Sequence, residues 1–287
     1  MRLQLEGDAN SDDPYNKFIL TLNLAGASEN TIRLYSIAIK DFLDFVKKDP
    51  RQVTNSDVNA WLLKILKSST RSKRVREENE KRRMKLTTAK IYLTAVLRFL
   101  KWLGKDVKPT VPKARKNEIR ALTYEELEKL KASAKKLRDA VILNLLIDTG
   151  IRAKELLSIK VQDIDLERRR IIIRNTKNGE SRIVFFTSHT GALLKKYIQK
   201  NKKEPEDKLI NMTYQALYRK LRRLGKKIGI DLRPHILRHT FATEAIRKGI
   251  PLPVVQKILG HKDIRVTQVY THLVIEDVEK AYKNTFG

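Results

Sequence analysis

The stretch Ile171-Ile172-Ile173-Arg174-Asn175-Thr176-Lys177-Asn178-Gly179-Glu180-Ser181-Arg182-Ile183-Val184-Phe185-Phe186 decides the fold class. Three consecutive β-branched residues read as a strand, Asn178-Gly179 is a dipeptide suited to the positive φ angles of a tight hairpin, and Ile183 to Phe186 resumes the extended run. Apolar residues elsewhere recur at helical rather than alternating spacing. The chain is therefore expected to be mainly α, with one small antiparallel β-sheet set among helices.

Upstream of the hairpin, Thr123-Tyr124-Glu125-Glu126 has the form of a capping box before an amphipathic helix, and Ala140 to Ile147 continues as an apolar helix. Downstream, Tyr214–Ile228, Ile236–Arg247, Pro253–Leu259 and Val274–Tyr282 also read as helices. The segment from Pro14 to Leu103 is helical throughout. Ile32, Leu34, Tyr35, Ile37, Ala38, Phe42, Leu43, Phe45 and Val46 make one apolar face, with Ser28, Asn30 and Thr31 as N-cap candidates. A second long helix follows from Ala89 to Leu103. Between these helical halves, Gly104 to Lys113 holds two prolines and no periodicity. A chain of 287 residues is long for one core and comfortable for two. The expected organisation is a helical domain over residues 1–104, a linker over 105–116 and a second domain over 117–287.

Charge narrows the partners. Sixty-one Lys and Arg stand against 33 Asp and Glu, a net charge of +28. Residues 1–116 carry 25 basic and 13 acidic side chains and the remainder 36 and 20, so both halves are basic. Charge spread over two folded halves suits a protein that follows a phosphate backbone over an extended path. The densest run, Ser69 to Lys85, has eight basic residues, three glutamates and almost no apolar content. Arg71, Lys73, Arg74, Arg76, Lys81, Arg82 and Arg83 are the candidate DNA-backbone contacts there; a solvated helix face or a flexible loop is the alternative.

Several chemistries are excluded. The chain has no cysteine, which removes disulfides, zinc–cysteine sites and a thiol nucleophile. It has no phosphate-cradling Gly-x-x-x-x-Gly-Lys-Ser/Thr loop, so nucleotide hydrolysis is not expected. No cofactor is implied. His235 and His239 share one face of a helix, but Ile236 stands where a zinc protease needs glutamate and no third ligand is evident, so a metal is not expected. No apolar run is long enough to span a bilayer, and Met1 to Asp8 lacks the basic-then-apolar pattern of a secretory signal, so a cytoplasmic location is expected.

Four of the five histidines, His235, His239, His261 and His272, fall in the last 53 residues, together with Arg238 and Tyr270. Two guanidiniums can hold the non-bridging oxygens of a phosphodiester with planar, charge-assisted hydrogen bonds that strengthen as charge builds during reaction. Arg238 is one candidate, and Arg152, just after the apolar helix, is the other.

These residues carry a family resemblance. Thr149-Gly150-Ile151-Arg152-Ala153-Lys154-Glu155-Leu156 resembles the first catalytic-arginine box of the tyrosine recombinases, also called the phage integrase family. His235-Ile236-Leu237-Arg238-His239-Thr240 resembles their His-x-x-Arg box, and Leu259-Gly260-His261 with Thr267-Gln268-Val269-Tyr270 resembles the closing pattern around their nucleophile. Lys177 sits where the family carries a catalytic lysine on a β-hairpin. Four such boxes in order over residues 148–272 are highly specific, and the compact size is most like the Xer-type enzymes.

The resemblance implies that Tyr270 is the nucleophile of a 3′-phosphotyrosyl intermediate. Arg152, Lys177, His235, Arg238 and His261 would complete the catalytic set, supported by Glu155 and His239. It further implies a core-binding helical domain at the N-terminus, a specific double-stranded DNA site, and a homo-tetramer on two such sites coupled through the C-terminal tail. Two alternatives stay open: a type IB topoisomerase, which shares the tyrosine chemistry, and a DNA-binding regulator that has kept the fold. The biological role stays open among chromosome-dimer resolution, mobile-element integration and inversion.

Overall fold

The computed structural model describes residues 13–68, 78–113, 120–174 and 181–260. The chain divides into two compact units, Met1–Asn117 and Glu118–Gly287.

The first unit is built from α1 (Pro14–Leu24), α2 (Glu29–Val46), α3 (Asn55–Lys67) and α4 (Glu78–Trp102). Each of the first three begins at a side chain that accepts a hydrogen bond from an orphan backbone N–H: Asp13 for α1, Ser28 for α2 and Thr54 for α3. At α3 the cap is reciprocal, because the Asp57 carboxylate accepts in turn from the Thr54 N–H at 2.7 Å. The apolar stripe of α2 turns Tyr35, Ala38, Ile39 and Phe42 inward. They meet Val58, Trp61 and Leu62 of α3 and Leu93, Val96, Phe99 and Leu100 of α4 in one core. Trp61 is fully buried, yet its indole N–H donates to Asp41 at 2.8 Å, so its one polar atom is satisfied. The proline-containing stretch after α4 is anchored at its start: the N–H groups of Lys108 and Thr110 donate to the side chains of Asn55 and Asn59 on α3.

The second unit contains α5 (Tyr124–Ser133), α6 (Leu137–Thr149), α7 (Ala153–Leu156), β1 (Ile164–Asp165), β2 (Arg170–Ile173), β3 (Arg182–Phe185), α8 (Ser188–Lys200), α9 (Tyr214–Lys226), α10 (Pro234–Arg247) and α11 (Leu252–Leu259). The three strands form an antiparallel sheet in the order β1-β2-β3, with Ile171 opposite Val184 and Ile173 opposite Arg182. Ile171, Ile173 and Val184 point into the core while Ile183 and Phe185 stay exposed, as the two-residue period of a strand requires. The expected hairpin arms are present, and β1 extends the sheet by a two-residue strand; the Asn178-Gly179 turn lies outside the described residues.

α6 is apolar on nearly every side because it is the central helix, packed against both α8 and α10 and burying Val141, Ile142, Leu143, Leu145 and Leu146. Thr123 and Glu126 cap α5 reciprocally, as the capping-box pattern anticipates. The Asp148 carboxylate, at the end of α6, accepts from the Thr187 N–H and the hydroxyls of Thr187 and Thr190, which fixes the start of α8. α8 has only a narrow apolar stripe among lysines, and its sequence pattern is correspondingly faint. The predicted helix Val274–Tyr282 lies outside the described residues. Among the described residues, no helix is long and apolar enough to cross a membrane.

Candidate active site

α6 ends at Gly150, whose φ of +60° makes it a left-handed C-cap, and the chain turns directly into Arg152, the N-cap of the short helix α7. Glu155, one turn into α7, is 7% exposed, and its carboxylate accepts from the Arg152 backbone N–H at 2.7 Å and from Arg152 Nη1 at 2.9 Å. The arginine and the acidic residue of the first box are therefore locked to each other.

Arg238 comes from the second turn of α10 and is 4% exposed. Its Nη1 donates to the Gly150 carbonyl at 2.8 Å and its Nη2 to the Leu259 carbonyl at 2.7 Å. These bonds join segments 88 and 21 residues away in sequence.

The C-terminus of α11 is held by arginines throughout. A helix leaves its last carbonyls without intrahelical partners. In α11 three consecutive ones are taken by three different guanidiniums: Ile258 by Arg182 Nε at 2.7 Å, Leu259 by Arg238 at 2.7 Å, and Gly260 by Arg152 Nη2 at 3.3 Å. The partial negative charge of the helix end suits this clustering of cations. Arg182 completes the group by donating Nη1 and Nη2 to the two oxygens of Glu155, at 3.0 and 2.8 Å. Burial pushes the Glu155 carboxyl up, but the hydrogen bonds and charge of Arg182, with those of Arg152, outweigh it and hold the group down at about 2.

Arg152, Arg238 and His235 converge on one pocket of about 200 Å³, also lined by Ile151, Ala153, Lys154, Tyr214 and Pro234. The Arg152 side chain keeps 40% exposure and so can meet a ligand. His235 stands at the start of α10 with an exposed side chain, and partial desolvation and then the charges of Arg238 and Arg152 lower its affinity for a proton. His239 lies one turn further along; burial, His235 and Arg238 push it down to about 4. Both imidazoles are thus neutral near pH 7. The pocket has an excess of fixed positive charge and a neutral imidazole in its lining, which suits binding an anion beside a group that gives up a proton.

Of the residues expected from sequence, Arg152, Glu155, His235, Arg238 and His239 come together here. Lys177, His261 and Tyr270 lie outside the described residues, as do Arg71, Lys73, Arg74 and Arg76. Lys81, Arg82 and Arg83 fall in the first turns of α4, with Arg82 and Arg83 exposed. Sequence reasoning missed Arg182, Lys154 and Tyr214. Arg182 follows the hairpin turn and reads there as one more surface cation. A larger hollow of about 480 Å³ beside the end of α9 is lined by none of the candidate residues, and its Asp231 is paired with Arg222 and Arg233.

Comparison with known proteins accords with this arrangement. The phage integrase family profile matches residues 116–276, and the N-terminal SAM-like domain of phage integrases matches residues 15–76. A tyrosine recombinase XerA of Saccharolobus solfataricus is 52% identical over 282 residues, covering 98% of this chain and 96% of its own. The XerA of Pyrococcus horikoshii is 28% identical over 285 residues, covering 94% and 93%. Among solved structures, a XerA recombinase crystal structure aligns with a TM-score of 0.55 at 26% identity, covering 96% of this chain and 98% of that one. The post-cleavage complex of the XerH site-specific recombinase with palindromic difH substrate aligns with a TM-score of 0.70 at 22% identity, covering 94% and 84%, a likeness of fold alone. With a family profile over more than half its length and a relative 52% identical over nearly all of it, the chain belongs to the phage integrase family, the tyrosine recombinases.

Proposed function

We propose that this tyrosine recombinase performs site-specific DNA recombination with Tyr270 as its nucleophile. The observation that carries the reading is the convergence of Arg152, Arg238 and His235, drawn from two separated boxes, on one positively charged pocket. The phenolic oxygen of Tyr270 attacks the scissile phosphorus, forming an O–P bond as the bond to the 5′-oxygen breaks. The phenolic proton passes to His235, which is kept neutral for that purpose. Lys177 protonates the departing 5′-oxygen. Arg152 and Arg238 hold the non-bridging oxygens, whose charge grows in the transition state, and His261 adds a further hydrogen bond. Glu155 orients Arg152, and His239 supports the helix turn that presents His235. The freed 5′-hydroxyl then attacks the equivalent 3′-phosphotyrosyl bond on a partner strand. Bond energy is conserved, so no nucleotide is consumed.

Residues 1–104 serve as the core-binding DNA domain, 105–116 as the linker and 117–287 as the catalytic domain. The partner is a specific double-stranded site, bound by a tetramer spanning two sites, with the Val274–Tyr282 tail docking on a neighbouring protomer. The 52% identity to a XerA supports a Xer-like role, which we read as chromosome-dimer resolution in the cytoplasm.

Covalent capture tests the chemistry. Wild-type and Tyr270→Phe protein are incubated with nicked fragments of the source genome, denatured, and the attached DNA is sequenced. One short, inverted-repeat-like site recovered with wild type alone is the expected result. Attachment by both proteins, or by neither while tight binding persists, would overturn Tyr270 as the nucleophile.

A further inference from the structure

We propose that Arg182 is a positioning residue of the reaction, which neutralises Glu155 from behind so that the charge of Arg152 remains directed at the scissile phosphate. This inference rests on the recombinase reading above. Arg182 stands at the start of β3 with its side chain 9% exposed, and it lines no part of the pocket.

What it touches is the support of everything that does. Its Nη1 and Nη2 meet both oxygens of Glu155, its Nε meets the Ile258 carbonyl at 2.7 Å, and its stem packs 3.2 Å from where a Cβ on Gly260 would lie. One side chain thus ties the base of the hairpin to α7, which Arg152 caps, and to the end of α11, where the chain leads on to His261.

The electrostatic part follows from the acceptor count. A carboxylate has four lone-pair sites. Arg182 fills one on each Glu155 oxygen, and Arg152 fills the others with Nη1 and its own backbone N–H. Among the described residues these two arginines are the charged groups facing Glu155, one from the head of α7 and one from β3; α11 presents only carbonyls. Without Arg182, the buried carboxylate would have Arg152 as its sole charged partner. It would draw both Nη atoms away from the pocket and cancel their charge. A buried carboxylate that has lost one of its two charged partners also becomes easier to protonate.

A displacement of about 1 Å in a reacting group can lower a rate about a hundredfold. The test uses Arg182→Lys and Arg182→Met in the full chain. Lysine keeps the charge on a flexible stem but offers a compact ammonium in place of the planar fork. Thermal unfolding and native DNA retention measure folded, binding-competent protein, and the rate of denaturant-stable adduct formation on nicked source-genome fragments is followed from pH 4 to 9. The expected result for Arg182→Lys is DNA binding within about twofold of wild type with adduct formation slowed about tenfold or more. Arg182→Met is expected to be slower still per binding-competent molecule, with the acid limb of its pH–rate profile moved to higher pH as Glu155 takes up a proton. Wild-type rates in Arg182→Lys would overturn the inference, as would losses that track the fraction of folded protein equally at every pH. If the wild-type chain itself forms no adduct, the recombinase chemistry fails, and this inference with it.

Discussion

Arg238 Nη2 lies 2.7 Å from the carbonyl oxygen of Leu259, so a side chain from α10 closes the last turn of α11. The same guanidinium reaches the Gly150 carbonyl at the end of α6. Two helix ends therefore meet on one planar group carried by a third helix, and that residue also lines the pocket. Catalytic geometry and the integrity of this junction are in consequence hard to separate at Arg238, and the comparison of substitutions has to use both.

Arg238→Lys is expected to destabilise the second unit by about 1–3 kcal/mol, because an ammonium can reach one of the two carbonyls and leaves the other buried without a donor. Adduct formation should fall by about 100-fold or more, as expected for loss of a donor to developing charge. Urea unfolding of the variant against single-turnover adduct formation per folded molecule separates the two effects. A variant that loses stability but keeps its per-molecule rate would remove Arg238 from the reaction.

Gly150→Ala combines two penalties. The φ of +60° disfavours any L side chain, and a Cβ there would run into the Phe241 ring and lie 2.9 Å from Leu259. A loss of about 2–4 kcal/mol is expected. Gly104→Ala is the control: its φ is +80°, but nothing lies within 4 Å of the added carbon, so it should lose only about 1–2 kcal/mol. Equal losses at the two positions would show that the packing of Phe241 against Gly150 contributes nothing.

Acid should weaken the second unit in two stages. His239 is depressed to about 4 from an ordinary 6.5, so the unfolded chain takes up its proton first; the stability held above pH 6.5 is lost as pH falls toward 4. Glu155, held at about 2 against 4.5, adds a second loss that begins below pH 4.5 and continues toward 2. Each stage is worth about 1–3 kcal/mol by linkage. Unfolding free energy measured at half-unit steps from pH 7.5 to 3.5 should fall in wild type from near pH 6.5, and His239→Asn should shrink that upper stage to the part contributed by His235, which is also lowered. A flat wild-type profile between pH 6.5 and 5 would contradict the burial of His239 as a neutral ring.

Arg82 and Arg83, exposed on the first turns of α4, are expected to contact the DNA backbone without reading sequence. Arg82→Ala/Arg83→Ala should weaken binding to specific and random duplexes by similar factors. It should also reduce the slope of log affinity against log salt by about 2, since each released phosphate contact contributes about 0.9. An unchanged slope would make this face a solvated helix surface instead.

Local rules were legible where one residue suffices to start or stop an element. Ser28 caps α2 and Thr123 pairs with Glu126 at α5, because a cap is a contact between neighbours in sequence. β2 and β3 were legible as extended apolar runs, but which of their residues face inward was decided by the fold. α8 was not legible, since its inward residues Thr190, Leu194 and Tyr197 are spread among lysines and include a polar one that is buried only because Asp148 binds it. Arg182 was invisible too: a basic residue after a turn looks solvated until Glu155 and Ile258, 27 and 76 residues away, are brought to it.

The sequence by itself determined the helical class with its small sheet, the polyanionic partner and the identity of the arginine and histidine boxes. The first two depend on periodicity and composition, and the boxes on a family resemblance carried by short motifs. Only the tertiary structure decided which charges face the pocket and which are consumed in holding it. That division depends on burial and on donor–acceptor geometry between distant segments: Arg152 keeps 40% of its side chain open, while Arg182, with the same chemistry, is 9% exposed and spends its fork on Glu155.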